Sequence, residues 1–146
     1  MNNPAIARRM VLLGTVLVML GLLTGFVSGS LANPRMGLAS HLEGLMNGTL
    51  LIALGAAWGH VRLSPAGERW AFGLLAFGSL ANWLATLLAA IWGAGGETMP
   101  LTAAGHQAAA WQENVVTGLL ITLSFAMVAA IALVIKGLLA ARQDAA

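Results

Sequence analysis

From Met10 to Leu31 the chain runs for about 22 residues without a charged side chain, the length an α-helix needs to cross the hydrocarbon core of a bilayer. Similar apolar stretches follow at about 41–63, 70–92 and 113–135. Only seven Lys or Arg and five Asp or Glu occur in 146 residues, 8% of the chain, against roughly a quarter in ordinary soluble domains. A soluble fold of this length has no core large enough to hide that much apolar surface, since 59% of the residues are hydrophobic. The chain therefore reads as an all-α integral membrane protein, a single domain over residues 1–146 built as a bundle of four transmembrane helices. Arg8 and Arg9 before the first run, and Ser28, Gly29, Ser30 and Ala32 at its end, trace the outline of a signal peptide. The run is nevertheless longer than an h-region of about 7–15 residues, and a retained span is expected.

The links carry the topology. Asn33-Pro34-Arg35-Met36-Gly37 reads as a helix break, Arg62 to Arg69 as a loop in water, and Gly93 to Gln112 as a long Gly-rich connection. Arg8, Arg9, Arg62, Arg69, Lys136 and Arg142 then share one side, with Arg35 alone on the other. By the positive-inside rule both termini are cytoplasmic, and the expected location is the bacterial inner (cell) membrane, crossed several times. Trp58, Trp70, Trp92 and Trp111 fall near span ends, as an aromatic belt requires, while Trp83 sits mid-span and reads as packing or a lipid-facing ring. Basic residues spread singly make no patch able to neutralise several phosphates, so membrane lipid and no nucleic acid is the expected partner. Without cysteine, disulfides, iron–sulfur clusters and covalent c-type haem are excluded, and any metal rests on His, Met or carboxylates.

Glycines recur at four-residue spacing in Gly21, Gly25 and Gly29, with Gly14 one heptad earlier, a pattern that lets helices approach closely in lipid. In the second span Gly44, Gly48, Gly55 and Gly59 lie within about 60° of the direction of His41. That bare face suits a tight helix contact, a smooth wall for a flat cofactor, or both. Ionisable side chains in spans are costly and mark function or pairing, and His41, Glu43 and Asn47 cluster in the first two turns of this span. Glu43 points about 200° and Asn47 about 240° from His41, so a site shared by all three requires another helix or chain. His41 also suits a cap or an interfacial position, and Glu43 a helix-start charge favoured by the macrodipole. His60, beside Arg62, reads as a rim residue; His106 lies in the outer loop, on the same side as His41 and near Gln107, Gln112, Glu113 and Asn114.

The string Asn33-Pro34-Arg35-Met36-Gly37-Leu38-Ala39-Ser40-His41-Leu42-Glu43-Gly44-Leu45-Met46-Asn47-Gly48 resembles the hydroxylaminobenzene mutase family. Its core, His41, five residues, then Asn47-Gly48, is similar to styrene oxide isomerase, a more distant relative. Both are families of small four-helix membrane proteins. The resemblance to the isomerase implies a homotrimer holding ferric haem b non-covalently at subunit interfaces, with the haem a Lewis acid and not an electron carrier. It implies His41 as the axial iron ligand, Asn47 beside the substrate oxygen, and Asn82 and Thr86 at the third-helix positions where the isomerase has an Asn and a Tyr. Gly44 and Gly48 join His41 as candidate cofactor contacts. The chain has no Tyr at all, a departure from the isomerase pattern, and the Arg-Met-Gly-Leu and His-Leu-Glu-Gly strings lean toward the mutase.

The activity so implied is isomerisation of hydroxylaminobenzene to 2-aminophenol by intramolecular hydroxyl transfer from nitrogen to the ortho carbon, a reaction of nitroaromatic degradation. Breaking the N–O bond builds negative charge on oxygen, which a Lewis acid relieves, and a dry pocket keeps bulk water from competing for the ring. Asn47 is assigned to the substrate hydroxyl, Glu43 to the proton released on rearomatisation, and Trp83 or Phe77 to the wall around this small aromatic substrate. Other readings stand beside it: a b-type haem subunit for electron transfer through His41 and His106, an epoxide (styrene oxide) isomerase, a structural assembly protein, and a small transporter. Against the transporter stands the placing of Glu43 and Glu113 at helix starts, with no carboxylate in mid-span.

Overall fold

A computed structural model describes the backbone of residues 3–143 and the side chains of residues 3–140; the Arg142 side chain, counted in the charge bias, lies outside them. Proline opens each helix but the last. The helices are α1 (Pro4–Val27), α2 (Pro34–Ala57), α3 (Pro65–Trp92), the single turn α4 (Pro100–Ala103) and α5 (Ala110–Gln143), with 3-10 turns at Ser28–Ser30 and Trp58–His60. No strand occurs among the described residues. At the first helical position the N–H that proline lacks has no partner to lose, and its φ is already helical. The residue before each of α1, α2 and α3 completes the signal. Asn33 Oδ1 accepts from the N–H groups of Arg35 and Met36 at 3.0 and 3.2 Å, Asn3 Oδ1 from Ala5 at 3.0 Å, and Ser64 Oγ from Gly67 at 3.2 Å.

Two segments expected to be links are therefore helix. Pro34 to Gly37 forms the first turn of α2, and Pro65 to Arg69, expected in a loop in water, opens α3; there Glu68 is 5% exposed and its carboxylate accepts the Asn3 N–H at 3.2 Å. Because α2 begins at Pro34 and not at residue 41, His41 and Glu43 lie beyond its second turn. Glu43 is thus a carboxylate in the interior of the helix and not a helix-start charge.

Among the described residues three helices are long and apolar enough to cross a membrane, over Pro4–Ser30, Pro65–Trp92 and Ala110–Ala140. α2 has the same 24 residues as α1 but falls outside that group, since His41, Glu43 and Asn47 dilute its apolar content. α1 packs on α2, α2 on α3 and α3 on α5, with a smaller α1–α3 contact. Glycine sets the first of these distances. A Cβ on Gly14 would stand 2.5 Å from Gly48 O, one on Gly44 2.5 Å from Gly21 Cα, and one on Gly55 2.9 Å from Ala7 O, so the two backbones run antiparallel in near-contact. Gly29 and Gly59 belong to the same sequence stripes but face open space.

The core has two apolar ends. Ile6, Met10, Leu17, Leu51, Trp58, Val61, Ala71, Leu75, Ala130 and Val134 form one; Met36, Ala89, Ala90, Ala94, Ala103 and Val116 form the other. Between them, along α2 from Ser40 to Asn47 and along α3 from Ser79 to Thr86, runs a layer of buried or half-buried polar side chains. Trp58, expected in a membrane belt, is 1% exposed and belongs to the first cluster, whereas Trp70 and Trp111 are exposed. Beyond the second cluster Gly93 ends α3 in the left-handed region at φ 71°. Asn33 locks that end: its N–H donates to Ala90 O at 2.9 Å and its Nδ2 to Ala103 O at 3.1 Å.

Candidate active site

The polar layer centres on one carboxylate. Glu43 and Asn47 are one turn apart on α2 and so share a face; the Asn47 Nδ2 donates to Glu43 Oε2 at 2.9 Å. Asn82 of α3 joins them, donating its Nδ2 to the same oxygen at 2.6 Å, but it does not bring in His41, so the site shared by His41, Glu43 and Asn47 is not formed by these helices. Both amides fall on Oε2, which leaves Oε1 without a partner among the described residues. Asn47 is buried, and Glu43 and Asn82 are half-buried, so the cluster is neither sealed nor washed by solvent. Thr86, the fourth candidate, does not join it: its hydroxyl donates to the backbone oxygens of Asn82 and Trp83 at 2.9 and 3.0 Å, within its own helix.

The rotation of α3 that brings Asn82 to Glu43 is held by the residue beside it. The indole N–H of Trp83 donates to Thr24 Oγ1 of α1 at 3.1 Å, and the Trp83 carbonyl accepts from Ser40 Oγ of α2 at 3.0 Å. Trp83 is therefore a cross-helix tie packed against the first apolar cluster, while Phe77, its alternative as arene wall, is exposed. Trp83→Phe removes one intramembrane hydrogen bond, worth about 0.6 kcal/mol on average; the expected result is a small fall in thermal midpoint in detergent with helicity unchanged. Ser40, Thr24 and Ser79 escaped the sequence reading. Ser79 is fully buried with no hydrogen-bond partner for its hydroxyl, and it lies within about 60° of Asn82 and about 20° of Thr86 on α3. A hydroxyl among apolar residues gives no periodic signal by which to find it.

His41 faces away from this cluster, toward α1, where its Nδ1 lies 2.8 Å from Gly21 O. That bond occupies one ring nitrogen and leaves Nε2 to act as a ligand, the usual arrangement of a metal-binding histidine whose other nitrogen meets a carbonyl. A single imidazole nitrogen of this kind could hold a haem iron, were one bound. Gly44 and Gly48 do not fit the cofactor wall, because α1 already occupies their faces at Gly21 and Gly14. His106 is exposed in the loop after α4, with Nδ1 at 2.9 Å from Ala103 O, and His60 is exposed at the end of the 3-10 turn Trp58–His60. Among the described residues no three His, Asp or Glu side chains gather to hold a bare metal ion.

The described residues thus form an all-helical fold with membrane-length helices and a carboxylate held between two amides. The chain belongs to the styrene oxide isomerase family, whose model matches residues 6–139. It is 50% identical over 137 residues to hydroxylaminobenzene mutase HabB of Ectopseudomonas oleovorans, covering 94% of this chain and 84% of that protein. To hydroxylaminobenzene mutase HabA of the same organism it is 45% identical over 126 residues, covering 86% of this chain and 93% of that one. No solved structure matches it significantly. The chain is accordingly an enzyme, an isomerase of the mutase kind.

Proposed function

We propose that this enzyme converts hydroxylaminobenzene to 2-aminophenol by moving hydroxyl from nitrogen to the ortho carbon of the same molecule. The observation that carries the reading is the Glu43 carboxylate held on Oε2 by Asn47 and Asn82, with Oε1 left for a ligand. Relatives named for this reaction support the substrate. Each Asn amide keeps a second N–H and a carbonyl oxygen. The second N–H of Asn47 donates to the substrate oxygen as the N–O bond breaks and charge builds there. Glu43 Oε1 then accepts the proton that leaves the ortho carbon once the new C–O bond has formed, and returns it to nitrogen. One N–O and one C–H bond break, one C–O and one N–H bond form, and substrate and product remain isomers. A ferric haem b held through His41 Nε2 would supply a Lewis acid to favour departure of the oxygen.

In the same reading α2 is a fourth transmembrane helix. Its contacts with α1 run from Gly25 against His41 to Ala7 against Gly55, so the two helices share one depth. Both termini are cytoplasmic, the protein lies in the bacterial inner membrane, and it assembles as a homotrimer with sites at subunit interfaces. Supporting this is the surface around the cluster, where Leu42 and Met46, flanking Glu43 on α2, are exposed; a carboxylate opening beside them toward lipid is costly unless covered.

The test is an optical spectrum of detergent-purified protein beside a His41→Ala variant, with 2-aminophenol formation followed in both. A Soret band and turnover that vanish together in the variant are expected. Turnover without a Soret band removes iron from the mechanism, and haem without turnover favours electron transfer.

A further inference from the structure

The surroundings of His41 are more constrained than a tight helix crossing requires. Its Nδ1 lies 2.8 Å from Gly21 O, and a carbonyl oxygen only accepts. In the neutral ring the proton therefore sits on Nδ1 and the lone pair on Nε2. Gly25, one turn on from Gly21, makes the room: a Cβ there would stand 2.6 Å from Nδ1, 3.0 Å from Cε1 and 3.3 Å from Cγ of the ring. The ring thus lies against the bare Cα of Gly25. It has no path of retreat, because α2 is pinned three residues later, where a Cβ on Gly44 would meet Gly21 Cα at 2.5 Å.

We infer that Gly21 and Gly25 form a socket that fixes His41 as the Nδ1–H tautomer and presents Nε2 as a neutral nitrogen donor at the α1–α2 seam. Gly25 is a positioning residue, acting only through His41. The tautomer is a property of the chain alone; the identity of the electrophile, a haem iron, rests on the function proposed above. A free imidazole exchanges between both tautomers, so holding one in advance removes a reorganisation that ligation otherwise requires. The socket also explains why Gly25 and Gly29, alike in sequence spacing, differ in surroundings: a Cβ on Gly25 meets the ring and one on Gly29 meets nothing.

The experiment is 15N NMR of histidine-labelled, haem-free protein in nanodiscs, with the His41 signals assigned through a His41→Gln variant, beside Gly25→Ala and Gly29→Ala. Ferric haem is then titrated into each and followed by its Soret band. Wild type and Gly29→Ala are expected to show a protonated Nδ1 and a bare Nε2 at His41. Gly25→Ala is expected to lose that pattern and to weaken haem binding by about 10–100-fold, the usual effect of disturbing a ligand's orienting partner. A wild-type His41 carrying its proton on Nε2, or a folded Gly25→Ala that keeps the wild-type pattern, overturns the socket. Should Gly25→Ala fail to fold by circular dichroism, the wild-type spectrum decides alone. If the tautomer behaves as expected while no variant binds haem, the socket stands and the iron reading falls.

Discussion

Glu43→Gln is expected to lower turnover by about 10²–10⁴-fold, the range typical of losing a positioned proton-transfer group, with substrate affinity little changed. The substitution keeps the size of the side chain and an acceptor oxygen, so Asn47 or Asn82 retains a partner where both now meet Oε2. It replaces the other oxygen with a donor that cannot take a proton from carbon. Because the lost interaction belongs to the proton transfer and not to ground-state binding, kcat falls while KM stays close to its original value. Steady-state formation of 2-aminophenol, with circular dichroism as a check on helix content, reads the effect. Thr86→Val is the companion, since that hydroxyl bonds only its own helix backbone, and it is expected to stay within a few-fold of wild type. Full activity in Glu43→Gln would remove the carboxylate from the mechanism.

Gly44→Leu is expected to abolish the assembled protein, the largest structural effect of any single substitution considered. Even the first carbon of the new side chain would meet backbone on the facing helix, 2.5 Å from Gly21 Cα and 3.2 Å from Leu17 O. Backbone cannot swing aside as a flexible side chain can, so the cost exceeds the about 1–3 kcal/mol of ordinary overpacking. Separating α1 from α2 would also carry His41 away from Gly21. Gly59→Leu, at a position of the same stripe that faces open space, is the control and is expected to leave stability within about 0.5 kcal/mol. Monodisperse yield in detergent and resistance to thermal unfolding distinguish the two; equal behaviour would mean that the close crossing is not what holds these helices.

Helical periodicity made part of this site legible from sequence. It placed Glu43 and Asn47 on one side of α2 and His41 on another, and it showed that the three share no site within one helix; Asn82, singled out by family resemblance, is the residue that α3 brings to Glu43. What periodicity cannot give is the rotation of one helix against the next. That depends on the Trp83–Thr24 and Ser40–Trp83 bonds, which join residues of no shared sequence pattern. The helix starts differ from expectation for a local reason: Pro34 reads as a breaker and the segment around Pro65 as a polar loop, whereas after Asn33 and Ser64 each proline occupies the first helical position. Trp58 misled because an aromatic near a span end has the same sequence signature whether it faces a headgroup or fills a core. The glycine stripe admitted two uses, and only the packing of α1 shows that Gly44 and Gly48 serve the first.

The polar layer between the two apolar clusters also bears on how the protein is made. α1 and α3 carry enough apolar length to enter a bilayer as independent helices, whereas α2 carries His41, Glu43 and Asn47 and does not. Its polar groups find their partners on α1 and α3, so as the fourth span proposed above α2 would settle in the membrane only once both neighbours flank it. Biogenesis and chemistry then draw on the same residues in opposite senses. Under the function proposed above, a more apolar α2 would insert more readily and catalyse less.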